Sequence, residues 1–146
     1  MSSKFSITEH KKSQYKISEE VALKSVIKLC EKFDIDVDAE EDKRQKKRTE
    51  SLLNGIVEYV RRGLLEITDD GKIKQHLQDA PGEVLEIDYK VITGKEKLEM
   101  DGKEENDFYA KMYAVLGAAS GMGENAISKL SKIDLKVAES LTIFFL

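Results

Sequence analysis

The hydrophobic pattern changes period twice along the chain. Near the start, Phe5 and Ile7, then Tyr15 and Ile17, alternate with polar neighbours around the polar stretch Thr8–Gln14. Alternation of that kind predicts a short hairpin or an extended arm over 1–17. Ser18 then stands before a run in which Ala22, Val26, Leu29, Cys30 and Phe33 recur at helical spacing. The serine is a suitable cap, and Glu19 and Glu20 suit the positive end of a helix over roughly 19–33. A second helical pattern starts between Glu41 and Thr49 and carries Leu52, Leu53, Ile56, Val57 and Val60. It runs to Arg62, with Gly63 as its stop.

The middle of the chain shifts to a period of two. Leu64–Thr68 and Ile73–Leu77 flank Asp69-Asp70-Gly71-Lys72, the composition of a β-hairpin turn. Pro81-Gly82 marks a further turn. Over 84–92, Leu85, Ile87, Tyr89 and Val91 point one way and Glu86, Asp88 and Lys90 the other, which predicts a half-buried antiparallel strand. Lys97–Met100 is a candidate to pair with it after a turn at Thr93-Gly94.

The last third returns to helical spacing. Phe108, Met112, Val115 and Ala119 form one stripe, expected to be core at Phe108 and Met112, with Tyr109, Tyr113 and Leu116 beside it. Gly121 and Gly123 break that helix in a corner where small residues permit close packing. A short helix with Ile127 and Leu130 inward follows. Asp134 is then read as the cap of a final helix carrying Leu135, Ala138, Leu141 and Phe145. The expected fold is α+β: N-terminal helices over 18–62, a small antiparallel sheet of a hairpin plus one or two strands over 63–104, and a C-terminal helical subdomain over 105–146, together one domain.

Composition narrows the function classes. The 146 residues are 40% hydrophobic and 36% charged, with a net charge of −4. Residues 1–62 hold 14 basic and 12 acidic side chains, against 10 and 16 in 63–146. A mildly acidic chain is not built to coat nucleic acid or anionic lipid. No apolar run approaches the ~20 residues that span a bilayer. The first residues lack the apolar stretch of a signal peptide, so a cytoplasmic protein with a reduced thiol is expected. Cys30 is the one cysteine, which excludes an internal disulfide and a cysteine-based zinc site.

Candidate chemistry is sparse. Asp34-x-Asp36-x-Asp38 has the opening of a calcium loop, but Ala39 and Gln45 occupy the positions that need glycine and a bidentate acid. Gly117–Gly123 is glycine-rich, yet Glu124-Asn125 follows where a phosphate loop has lysine and Ser/Thr. His10 is placed in a polar loop and His76 toward solvent, and Cys30 on a buried stripe, so no nucleophile–base pair is legible. No catalytic residue, cofactor, metal or small-molecule substrate is assigned, and the chain is read as a non-enzyme. One alternative of a different class is open. The helix end Tyr59-Val60-Arg61-Arg62-Gly63 and the following hairpin resemble the last helix and wing of winged-helix DNA-binding regulators, with Lys43–Arg48 and Arg61/Arg62 as phosphate contacts. Glu66, Asp69 and Asp70 in the wing oppose it.

A second resemblance covers residues 63–146. Gly63–Ile73, then Pro81, the strand Leu85–Val91, a helix, Ala119-Ser120-Gly121-Met122, Ile127–Leu135 and the closing Ile143-Phe144-Phe145-Leu146 together resemble tail assembly chaperones of long-tailed bacteriophages and prophages. The helical half 18–62 is not part of that pattern. The resemblance implies a non-enzymatic, self-associating protein that holds a long helical tape-measure client and shields its apolar stripes. The surface it needs is apolar on a charged body. The candidates are Tyr109, Tyr113, Met122, Phe144, Phe145 and Leu146, with Ile143 and Met112 beside them, because Met and aromatic side chains adapt to varied partners. A small oligomeric scaffold is the third reading.

Overall fold

The computed structural model describes residues 15–79, 85–90 and 108–145. The expectations for the arm before Tyr15, Pro81-Gly82, Val91, Thr93-Gly94, Lys97–Met100 and Leu146 lie outside them. The fold is α+β: helices at both ends of the chain and a three-stranded antiparallel sheet between them.

Helix α1 spans Glu19–Lys32. Ser18 caps it, its hydroxyl accepting from the Val21 amide, with Glu19 and Glu20 in the first turn. The helix ends without a glycine. Asp34 takes φ +55°, its amide donates to Glu31, and the Ile35 amide donates to the Cys30 carbonyl. This is the two-bond C-terminal cap usually closed by glycine, and aspartate is among the few other residues that tolerate it.

The acidic run is used for capping. Asp36 accepts from the Asp38 amide to start a 3-10 turn, Val37–Ala39, and Asp42 accepts from the Arg44 and Gln45 amides to start helix α2, Lys43–Arg61. The abrupt change from acids to bases is therefore a helix boundary. Basic side chains at the positive end of a helix are unfavourable. The Asp42 carboxylate offsets them there, as does the Lys46–Asp38 pair at 3.4 Å. Gly63, at φ +76°, closes α2, its amide donating to the Val60 carbonyl and the Leu64 amide to the Tyr59 carbonyl.

Strands β1 (Leu65–Ile67), β2 (Ile73–His76) and β3 (Glu86–Tyr89) pair in chain order. Gly71, at φ +80°, completes the β1–β2 turn, and the Thr68 hydroxyl donates to the Asp70 carboxylate inside it. The register sets Leu65 opposite Gln75, Ile73 opposite Tyr89 and Gln75 opposite Ile87, so these five share the face turned to the core. Glu66, Lys74, His76, Glu86 and Asp88 take the other face.

Helices α3 (Phe108–Ser120), α4 (Glu124–Ser128) and α5 (Lys132–Thr142) close the far side. A Cβ on Gly117 would lie 2.7 Å from the Glu124 amide nitrogen, so the α3–α4 corner is a backbone-to-backbone contact. Ser131, not Asp134, caps α5. Asp134 lies in the first turn of the helix and is buried. Its carboxylate accepts from the Gln78 and Asp79 amides at 2.8 and 3.0 Å and from the Ser131 hydroxyl. The acid thus ties the chain after β2 to α5. Gln75 extends the same seam, its amide donating to the Asp134 carbonyl and its oxygen accepting from the Tyr89 hydroxyl at 2.7 Å. Apolar residues from all these helices and strands form one core, among them Leu29, Ile56, Ile87, Leu116, Ile127 and Leu141.

Candidate docking surface

The six residues singled out at the C-terminal end separate in the structure. Tyr109 is 60% exposed, and its ring lies 6.2 Å from that of half-buried Tyr113. Partial burial first, then the Glu139 carboxylate, hold the Tyr113 phenol above its ordinary pKa. Met122 and Phe144 are half-buried and packed on the core. Phe145 is corrected from docking residue to core residue. It is 1% exposed, with the Phe33 ring 5.6 Å away, because the last turn carries it inward on the same stripe as Ala138 and Leu141. Leu146 lies outside the described residues. Phe108, expected in the core, is 63% exposed and joins Tyr109 at 5.6 Å, so the first turn of α3 presents a row of rings. Ile143 is also exposed.

A second apolar surface lies where the sequence reading placed none. A groove of about 420 Å³ lies between helices α1 and α2, with Leu23, Ile27 and Cys30 on one wall and Leu53 and Val57 on the other. Ile35 and Val37, from the segment joining the two helices, line it as well. Leu23 and Ile27 are 43% and 47% exposed. Ala22, Val26 and Leu29 point from α1 into the core, so Leu23, Ile27 and Cys30 form a second stripe beside them. That stripe, spaced i, i+4, i+7, was the available signal: α1 is apolar over a wider arc than its core contact needs.

Glu31, Asp38 and Glu50 line the groove as well, and no Lys or Arg does. Asp38 pairs with Lys46, whereas neither Glu31 nor Glu50 is in an ion pair among the described residues. Burial first, then the Glu31 charge, raise the Cys30 thiol above its ordinary pKa.

The other candidates occupy separate places. His76 sits on the outer face of the sheet, 3.3 Å from Glu66 and 3.6 Å from Glu86, away from the groove that holds Cys30. Arg61 lies over the Tyr15 ring at 3.8 Å and pairs with Glu58, which also accepts from the Tyr15 hydroxyl. That arginine is engaged by its own chain, and the wing of the DNA-binding reading is the first two strands of a three-stranded sheet. Among the described residues there is no group of three or more His, Cys, Asp or Glu that could hold a metal ion, and no helix long and apolar enough to cross a membrane. Compared with family models, curated proteins and solved structures, the chain matches none.

Proposed function

We propose that the chain is a non-enzymatic binding protein that holds a helical segment of another protein, in the manner of a phage tail assembly chaperone. The groove between α1 and α2 carries this reading. It is walled by two helices, floored by apolar side chains and flanked by exposed Leu23 and Ile27. Grooves of this kind accept the apolar face of an amphipathic helix. The likeness of residues 63–146 to tail assembly chaperones supports the choice of client, a long apolar-striped tape-measure protein. Self-association belongs to the same reading and rests on that likeness.

Co-expression of the full chain with a tape-measure protein tests it. The client is expected to become soluble and to purify with the chain, and Leu23→Glu with Ile27→Glu to abolish both effects. A client equally insoluble with and without the chain overturns the reading.

A further inference from the structure

The groove has a sign as well as a shape. We infer that its occupant is a basic amphipathic helix, one that sets apolar anchors on the floor and Lys or Arg against Glu31 and Glu50. This rests on the reading above and names the chemistry of the partner.

Three observations converge. First, the apolar positions follow helical spacing on both walls: Leu23 and Ile27 on α1, Leu53 and Val57 on α2. A third helix laid between them meets ridges at i and i+4 from each side. Second, the walls are helices whose backbone groups are bonded within themselves, so an extended segment finds no strand edge to extend. Third, the charged lining is acidic throughout. Glu31 and Glu50 are exposed and outside any described ion pair, so an acidic or uncharged helix leaves them without a counter-charge. Complementary rim charges select among partners more than they add affinity. The chain's own basic run, Lys43–Arg48, contains no apolar residue, so a second copy offering that segment lacks the anchors.

The test uses the full chain and two dye-labelled peptides of about 18 residues, long enough to hold a helix. Both carry leucines at i, i+3, i+4 and i+7 on one face. One has lysines flanking the leucines, the other glutamates. By fluorescence anisotropy the lysine peptide is expected to bind about fivefold or more tighter, the size of two rim ion pairs. The preference should shrink as salt is raised. Glu31→Lys with Glu50→Lys should reverse it. Leu23→Ser with Ile27→Ser should weaken both peptides, with circular dichroism used to check that these surface variants stay folded.

Equal binding of the two peptides, or a preference that survives the charge reversal, overturns the basic partner and leaves the helix-holding reading standing. Binding of neither overturns both. A dimer that the Leu23→Ser/Ile27→Ser pair dissociates would place a second copy in the groove, and would also overturn the inference.

Discussion

The C-terminal helices and the groove between α1 and α2 both expose apolar atoms, and they differ in how firmly the rest of the molecule holds them. In the C-terminal subdomain, buried and exposed rings belong to different segments: Phe145 is sealed against Phe33, whereas Phe108 and Tyr109 stand on the first turn of α3. In the groove between α1 and α2, the exposed side chains sit on helices whose adjacent faces build the core. The lesson is that an apolar, aromatic segment is not by itself a surface. What counts is whether the helix that carries it has apolar positions left over once its core contact is made.

The largest effects should break the C-terminal end apart. Phe145→Ala is expected to cost about 3–5 kcal/mol, the range for removing a buried aromatic ring. Phe108→Ala should stay within about 0.5 kcal/mol. Urea denaturation of the two variants measures the contrast directly, and equal costs would mean that the two rings are not divided as described. Next comes the corner between α3 and α4. Gly117→Ala drives a methyl against the backbone of Gly123 and Glu124, and should cost about 1–3 kcal/mol or more. Gly121→Ala, with open space around it, should be limited to the strain of its left-handed backbone.

Smaller effects belong to the polar seam between the sheet and α5. Tyr89→Phe leaves the Gln75 oxygen without its donor and should cost about 1–3 kcal/mol. It should also change the pH dependence of stability. Burial first, then the Asp134 charge, push the Tyr89 phenol well above its ordinary value of 10.0. Above about pH 10 the unfolded chain therefore releases a proton that the folded chain keeps. This contribution is flat below that pH, and stability falls as pH rises beyond it, by at most about 1.4 kcal/mol per unit. The Phe variant should decline less steeply over the same range. Identical alkaline slopes would show that Tyr89 is not held in this way. A small effect on stability is expected in the groove: Leu23→Ser with Ile27→Ser should shift the unfolding midpoint little, although it should weaken peptide binding.

Much of the fold was legible because local signals agreed with one another. Ser18, Gly63 and the Asp-Gly turn each stand at the boundary of a hydrophobic period, and α1, α2 and the hairpin follow from them. Asp134 misled because an acid before an apolar stripe looks like a cap. Its partners, the amides of Gln78 and Asp79, are 56 and 55 residues away, and no local pattern announces them. Phe108 misled because stripe membership does not say whether the first turn of a helix reaches the core. The aromatic residues of the last helices point, by sequence, to a docking surface there. The groove depends on the angle between α1 and α2 and on the segment that joins them, and neither can be read from one helix alone.

Cys30 offers the most direct measurement of where a helix binds, because it is the one cysteine of the chain and it lines the groove. Its rate of alkylation should be followed at one fixed pH, with and without saturating lysine-flanked helical peptide. Bound peptide is predicted to slow the reaction several-fold, and to do so equally in a Phe108→Ser/Tyr109→Ser variant. If Cys30 reacts at the same rate while the peptide is bound, or if the protection disappears with those two rings, the helix sits elsewhere and the account is wrong.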